Sequence, residues 1–194
     1  MFIKVLLLYL SVVGQIFSDE NTLNQISTRL VKSLIVQGDF KQEKKLKMLN
    51  KPLISTGKFT YHQHKGAIWK TLTPVSTLVL MNESTLLTEQ GEQTIPEAFA
   101  NVFKAMLSGD FKNLESHFFV MATNHETSWQ IELKPKDELL QRIISTLTLT
   151  GDTELRSLDI AEVGGNSTFI SFDKTTHSSQ LSLEQEGDFE PLQP

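Results

Sequence analysis

The sequence contains no cysteine among its 194 residues. Disulfide bonds, thiol catalysis and thiolate metal sites are therefore excluded. The acylated cysteine that a lipoprotein carries just after its signal peptide is missing as well. We therefore expect the mature chain to be soluble rather than tethered by lipid.

An excess of positive charge is also missing. The chain has 18 Lys and Arg residues against 23 Asp and Glu residues, a formal net charge of -5. Its one basic cluster, residues 41–47, is diluted by Gln42 and Glu43. Nucleic-acid binding needs a stripe of Lys and Arg for the phosphates, so this composition argues against a nucleic-acid partner.

Motifs for catalysis and cofactors are absent: there is no HExxH, no glycine-rich phosphate loop and no G-x-S-x-G elbow. His62 and His64 are two residues apart and would share one face of a strand, where they could bind a metal. His117 and His125 are distant in sequence, so ordinary polar strand residues are the favoured interpretation. The sequence predicts a protein that is not an enzyme and has no metal or cofactor.

The N-terminus has the pattern of a secretory signal. Lys4 precedes a short apolar core, residues 5–13, and residues 16–18 offer a cleavage site. The apolar core is too short to span a bilayer; an uncleaved anchor is the alternative. We expect residues 1–18 to be a signal peptide and residues 19–194 to be a single domain.

The first half of the mature chain predicts one helix and then short strands. Leu23, Ile26, Leu30 and Leu34 predict an amphipathic helix over residues 20–34. Gly38 is expected to interrupt the chain before a first strand at residues 39–43. Alternating or dense apolar runs at 57–61, 67–69, 78–81 and 85–88, separated by turn residues, then indicate an antiparallel meander.

The second half predicts a helix followed by more strands. Pro96 and Glu97 open a helix whose broad apolar face ends at Leu107, and Gly109 is expected to close it. Strands are predicted from Phe119 onward and at 129–133, 147–150, 154–160 and 168–172, with a short helix over 138–144. The last ten residues are polar and are expected to fray.

Three residues in fixed order carry a family resemblance. Gly57, Trp69 twelve residues later and Pro74 five beyond that resemble the second and third strands of the outer-membrane lipoprotein carrier (LolA-like) family. Trp129-x-x-x-Leu133-x-Pro135 is similar to the family as well, and the resemblance covers nearly the whole mature chain. It implies an α+β fold, in which an incomplete, strongly curved antiparallel β-barrel is covered by a helical lid, with an apolar cavity between.

The resemblance also implies a function. It implies a periplasmic carrier that binds acyl chains of lipoproteins or related lipids and transfers them across the envelope to a membrane acceptor. The expected partners are the lipid cargo, an inner-membrane donor complex or exporter, and an outer-membrane acceptor, with the carrier itself a monomer. The alternative is an envelope lipid-sensing or protein-interaction module without net transport. The residues expected to form the cavity or lid are Phe59, Tyr61, Gln63, Trp69, Phe99, Val102, Phe103 and Met106.

One departure from the family concerns the lid. Classical members carry an arginine and then a proline six and seven residues after the strand-two glycine, and the arginine hydrogen-bonds lid-helix carbonyls. This sequence has Gln63 and His64 at those positions. A neutral amide makes weaker hydrogen bonds than a guanidinium group, so a weaker latch is expected.

Overall fold

The computed structural model describes residues 19–82, 85–94, 97–111 and 113–192. The expected signal peptide, residues 1–18, and Pro96 lie outside these ranges. No helix within them is both long and apolar enough to cross a membrane.

The described chain consists of eleven antiparallel strands and five short helices. The strands are β1 (Ile35–Lys45), β2 (Leu53–His62), β3 (Gly66–Thr73), β4 (Thr77–Met81), β5 (Thr85–Thr88), β6 (Gly91–Thr94), β7 (Phe118–Asn124), β8 (Trp129–Pro135), β9 (Ile144–Gly151), β10 (Leu155–Glu162) and β11 (Ser167–Ser178). The helices are α1 (Asp19–Arg29), α2 (Glu97–Ser108), α3 (Leu114–His117), α4 (Glu138–Gln141) and α5 (Leu183–Phe189), and a 3₁₀ turn covers Glu190–Leu192.

All the described strands form one sheet in the order β6-β5-β4-β3-β2-β1-β11-β10-β9-β8-β7. Each half of the sheet is a meander of consecutive strands, and the pairing of β1 with β11 joins the two halves. The sheet does not close, because β6 and β7 lie at opposite edges. The predicted incomplete, curved antiparallel barrel with a helical lid is confirmed.

The hairpin of β2 and β3 forms where the sequence predicts it. Phe59 pairs with Trp69 and Tyr61 with Ala67 across the two strands. Gly66 ends the turn at φ +98°, and a Cβ on it would lie 2.1 Å from the Met81 carbonyl oxygen. Only glycine fits this turn, because L side chains rarely adopt a positive φ and the neighbouring strand leaves no room.

Helix α2 also follows its sequence signals. Gly109 has φ +68° and its N–H donates to the Ala105 carbonyl at 2.8 Å, so it ends the helix as expected. Ala98, Val102 and Met106 are buried on one face of α2. That face packs on the inner surface of the sheet and forms the lid of the half-barrel.

Two predicted helices are too long. The helix expected over 20–34 ends at Arg29, whose guanidinium donates to the Asn124 side chain and to the Glu126 carbonyl in the β7–β8 turn. The helix expected over 138–144 ends at Gln141, and Ile144 is the first residue of β9. Asp137 caps that helix, since its carboxylate accepts from the Leu139 and Leu140 N–H groups. After the first helix, residues 30–34 form an irregular connection to β1; after the second, a strand begins where the apolar periodicity would allow the helix to continue.

Gly38 lies inside β1 instead of interrupting the chain before it. The pairing of β1 with β11 shifts between Gln37 and Asp39, which marks a bulge. A Cβ on Gly38 would lie 2.8 Å from the Asp173 carbonyl oxygen and 2.9 Å from the Phe59 ring. The glycine therefore allows the close approach of neighbouring groups within a continuous strand.

The expectation that the last ten residues fray is wrong for those that the structure describes, residues 185–192. Helix α5 begins with a capping box in which the Ser182 side chain accepts from the Gln185 N–H and the Gln185 side chain accepts from the Ser182 N–H. Phe189 is fully buried against Ile68 and Leu80, on the face of the sheet opposite the main core. One aromatic side chain and one cap thus order a segment that is otherwise polar.

Candidate ligand groove beneath helix α2

An aromatic cluster occupies the centre of the inner sheet surface. The Phe40 and Trp69 rings stack with centroids 3.9 Å apart, and Phe59 meets Phe172 edge to face at 5.4 Å. The Phe103 ring of α2 packs edge to face on the Trp69 ring, with centroids 6.2 Å apart. Four strands and the lid helix therefore meet at one cluster of rings.

Gly57 is the residue that makes room for this cluster. A Cβ at this position would lie 2.1 Å from the Lys70 carbonyl oxygen and 2.7 Å from two atoms of the Phe40 ring. The Phe40 ring covers the glycine and extends from there onto Trp69. The glycine and tryptophan on which the resemblance rests thus belong to one packing arrangement.

A groove of about 790 Å³ lies between α2 and the β2–β3 hairpin. Its volume falls within the range of about 300–1,000 Å³ that is typical of ligand pockets. Apolar and aromatic groups form part of its wall: Tyr61, Ala67, Met81, Ala100 and Phe103. Polar and charged groups complete it: Gln63, His64, Lys65, Asn82, Glu97, Asn101 and Lys104. The groove therefore offers apolar surface next to groups that can bind a polar headgroup.

Further along α2 the lid is closed on the sheet. A cavity of only about 20 Å³ lies there, and Val36, Phe59, Met106 and Phe172 are among its walls. This volume is comparable to that of one water molecule. In this structure the space under the far end of α2 is filled by side chains.

The predicted cavity residues fall into three groups. Tyr61, Gln63 and Phe103 line the groove. Phe59 and Met106 are buried beside the small cavity. The other three belong to the packed core, Val102 fully and Trp69 and Phe99 in part. The contact of these residues with a ligand stays a prediction.

Gln63 stands at the mouth of the groove. Its side chain is exposed, and its backbone N–H donates to the Leu34 carbonyl at 3.0 Å. Asn101 and Lys104 of α2 line the same groove. Within the described ranges no hydrogen bond joins the Gln63 amide to α2, so position 63 faces the lid without a latch of the kind that the family arginine makes.

Sequence reasoning missed several residues of the groove. Ala67 pairs with Tyr61 on β2 and with Met81 on β4, so all three project from the same face of the sheet. Ala100 and Lys104 are near neighbours of Phe103 on α2. The strand residues could have been found by extending the hairpin register one strand further.

His62 lies behind the groove, on the outer side of the sheet. Burial, followed by the charge of Lys65 and the neighbouring His64, lowers the pKa of His62 below its ordinary value of 6.5. Its ring meets Phe189 at 6.1 Å, and its Nδ1 accepts from the His64 N–H at 3.1 Å. Among the described residues, no three His, Asp or Glu side chains are grouped so that they could hold a metal ion.

Comparison with solved structures places this fold among known ones. A LolA superfamily protein from Nitrosomonas europaea aligns with a TM-score of 0.51 over 84% of this chain and 94% of its own, at 8% identity. A domain described as an outer membrane lipoprotein-sorting protein, from Vibrio parahaemolyticus, gives a TM-score of 0.48 at 10% identity, with 88% and 95% covered. A DUF1329 family protein from Desulfovibrio piger gives 0.47 at 12% identity, with 89% and 97% covered.

Comparison of sequences identifies the family. No curated protein matches the chain. The profile of the family described as outer membrane lipoprotein carrier protein LolA-like matches residues 19–171, which extends from the start of α1 into β11. The chain belongs to the LolA-like outer membrane lipoprotein carrier family.

Proposed function

We propose that this protein binds acyl chains of lipoproteins or related lipids in the groove beneath α2 and carries them through the periplasm to a membrane acceptor. The observation that carries the proposal is the groove of about 790 Å³, which has apolar surface beside polar groups and is bounded by the lid helix. Membership of the LolA-like family supports the same class of cargo.

The groove suits an amphiphile because its two kinds of wall suit the two parts of such a molecule. Ala67, Met81 and Phe103 provide apolar surface for a chain, while Lys65 and Asn101 can contact a headgroup. A chain of about 14 carbons gains ~11 kcal/mol gross on leaving water, at about 0.8 kcal/mol per CH₂. A groove in which burial of the chain provides most of this free energy can hold the cargo. A membrane or receptor can still extract the cargo from it.

Opening of the lid would enlarge the groove. Phe59 and Met106 lie beside the small cavity that follows the groove along α2. Movement of α2 away from the sheet would separate these two side chains. The aromatic cluster would then be accessible to the acyl chain of the cargo. Met is flexible and polarizable, which suits a wall that accepts chains of different length.

The proposal includes partners on both sides of the periplasm. An inner-membrane donor complex or exporter would load the cargo and an outer-membrane acceptor would receive it. The carrier would act as a monomer, without catalysis and without a cofactor. Export would follow from the secretory pattern of residues 1–18.

A second candidate function is an envelope module that senses lipid or docks a protein without net transport. It is favoured by the closed far end of α2, where a cavity of only about 20 Å³ remains and the helix packs as an ordinary core helix. In that case the lid would not need to open.

Lipid analysis and a transfer assay distinguish the candidates. Protein purified from its own host is extracted and the extract is measured by mass spectrometry; a carrier or a sensor contains stoichiometric acyl lipid. The same protein is then added to donor and acceptor vesicles with a labelled lipid. A carrier accelerates transfer in proportion to protein concentration, and a sensor does not. If the purified protein contains no lipid and also fails to bind an added acyl probe, both the carrier hypothesis and the lipid-sensor hypothesis are contradicted.

A further inference from the structure

The hairpin between β1 and β2 presents an unusual set of exposed side chains. We call residues 44–54 the hairpin tip. Met48 is 86% exposed, and Leu49, Leu53 and Ile54 are also exposed. Four exposed large apolar side chains at one hairpin are more than the single exposed ones that are ordinary, and such groups mark sites that bind a membrane or a partner.

The tip projects beyond the packed body of the protein. Leu53 and Ile54 are consecutive in β2, so their side chains point to opposite faces of the sheet, and yet both are exposed. Phe59 and Thr60, further along the same strand, are also consecutive, and both are buried. At the tip neither face of the strand is covered by the described residues.

Lysines surround these apolar side chains. The tip contains Lys44, Lys45, Lys47 and Lys51 and no acidic residue, although the whole chain has a net charge of -5. Lys44 lies 3.8 Å from Glu162 of β10. The other three are exposed and form no ion pair with any residue in the described ranges. The tip is therefore a positively charged site on an acidic protein.

The tip is structurally defined and has apolar neighbours. The Leu49 N–H donates to the Leu46 carbonyl at 2.8 Å, and the Lys47 N–H donates to the Asn166 side chain at 3.0 Å. The bond to Asn166 ties the tip to the β10–β11 turn, where Val163 is exposed. The apolar surface therefore extends over two adjacent turns at one end of the sheet.

We propose that the hairpin tip docks on an anionic lipid membrane. Met48 and its apolar neighbours would enter the interfacial region, and the lysines would remain at the phosphate level with their charged ends in water. Lysines near an anionic bilayer attract it, and the nearest carboxylates, Glu43 and Glu162, are paired with Lys41 and Lys44. A protein partner is the poorer fit: interface cores are enriched in aromatic residues, Met and Arg and depleted in Lys, and the tip has one Met but four Lys, no aromatic residue and no Arg.

This docking goes beyond the carrier function and does not depend on it. The groove adjoins the opposite end of β2, and a ten-residue strand spans about 30 Å. A protein docked by the tip would keep its groove away from the bilayer and accessible to cargo or to a second partner. Failure of lipid binding in the groove and failure of membrane docking are therefore separate results.

The absence of cysteine allows a site-specific test in the full chain. Met48→Cys and Thr127→Cys each carry one label; both positions are exposed, and Thr127 lies in the β7–β8 turn at the other end of the sheet. An environment-sensitive fluorophore on each is titrated with vesicles of phosphatidylglycerol and phosphatidylcholine, and with vesicles of phosphatidylcholine alone. We expect a blue shift only at position 48 and only with phosphatidylglycerol. An N-terminal segment that binds the bilayer by itself would not shift the label at position 48.

A charge-matched pair of variants tests the lysines. Lys47→Gln/Lys51→Gln is expected to weaken vesicle binding about thirtyfold, since each lysine near the surface contributes about fivefold. Lys32→Gln/Lys174→Gln removes the same charge from exposed positions elsewhere and is expected to change binding less than threefold. Equal effects of the two pairs would overturn the proposal, because binding would then depend only on net charge.

Two further results would overturn it. A shift that is the same with both kinds of vesicle would exclude anionic recognition. No shift with either vesicle, but a shift at high protein concentration or on addition of envelope extract, would assign the tip to a second copy of the chain or to another protein.

Discussion

The ring of Phe40 stacks on the ring of Trp69, with centroids 3.9 Å apart and planes inclined by 25°. The two residues belong to β1 and β3 and meet over Gly57 of the intervening strand, where a Cβ would lie 2.7 Å from the Phe40 ring. This contact joins β1, β2 and β3 on the inner surface of the sheet, beneath the lid helix. It gives a physical reason for a glycine and a tryptophan at this spacing.

Gly57→Ala is expected to lower the free energy of unfolding by about 2–3 kcal/mol, because the added methyl group overpacks the cluster. Its Cβ would also meet the Lys70 carbonyl oxygen at 2.1 Å, which backbone movement alone can relieve. Chemical denaturation measures the change. Gly164→Ala is the control, since no atom lies within 4 Å of its added Cβ. Equal stability of the two variants would contradict this packing.

Phe189→Ala is expected to release helix α5 from the sheet. Truncation of a buried phenylalanine costs about 3–5 kcal/mol, and the outer cluster contains few other buried side chains. Hydrogen exchange of residues 183–189 should accelerate about a hundredfold or more, while β8 and β9 keep their protection. Leu183→Ala is the control, because Leu183 is exposed at the start of the same helix. Unchanged exchange in Phe189→Ala would mean that Phe189 does not hold α5.

Acidification is expected to lower the free energy of unfolding through His62, whose ring contacts Phe189. Burial, followed by Lys65 and His64, lowers the pKa of His62 below 6.5. Between this lowered pKa and 6.5 the unfolded state binds more protons than the folded state, so the free energy of unfolding falls as pH falls through that window. Denaturation at pH 7.5 and pH 5.5 should show the loss, and His62→Gln should reduce it. His125→Gln, at an exposed position, is the control; an undiminished pH dependence in His62→Gln would contradict the assignment.

Gln63→Arg is expected to slow release of a bound acyl probe. One charge-assisted hydrogen bond contributes roughly 1.5–3 kcal/mol, so an arginine that reaches the α2 carbonyls should slow release about ten- to a hundredfold. Stopped-flow displacement of a fluorescent fatty acid measures the rate. Gln63→Lys adds the charge without the planar fork and should have a smaller effect. Unchanged release in a folded Gln63→Arg variant would mean that position 63 does not reach the lid.

Local sequence signals were sufficient for much of the fold. Trp129, Ile131 and Leu133 alternate with polar residues, and all three are buried on the inner face of β8. Gly109 marks the end of α2, because helices commonly end at a residue with left-handed backbone conformation and glycine adopts it most easily. Such signals depend on neighbours in the sequence, so they are readable without the tertiary structure.

Other features depend on distant contacts and could not be read in this way. Residues 183–189 have one large aromatic side chain, and their helix is stabilised by burial of Phe189 against β3 and β4. Lys70 reinforces it, with its Nζ 2.8 Å from a Glu184 carboxylate oxygen. The β6 strand was missed for a different reason: it pairs with the neighbouring β5, but its four residues contain no apolar side chain and only the first is partly buried.

The candidate site could be predicted in part. Tyr61, Gln63 and Phe103, three of the residues named from the resemblance, line one groove although β2 and α2 are far apart in sequence; their contact with a ligand stays a prediction. The volume of the groove could not be predicted, because composition does not reveal a void. The close packing of Phe59 beneath the far end of α2 could not be predicted either, because it depends on how the lid helix packs on the sheet.

Phe103 provides the most direct test of acyl-chain binding beneath α2. It lies in the groove wall and is only partly buried, so Phe103→Glu should leave the fold intact. An unpaired charge in an apolar site costs several kcal/mol, so equilibrium titration with a fluorescent fatty acid should show binding weakened tenfold or more. Phe119→Glu, on the exposed face of β7, should bind the probe as the unmodified protein does. Unchanged affinity in Phe103→Glu, or its global unfolding in circular dichroism, would contradict the account, because Phe103 would then be either remote from the ligand or part of an ordinary packed core.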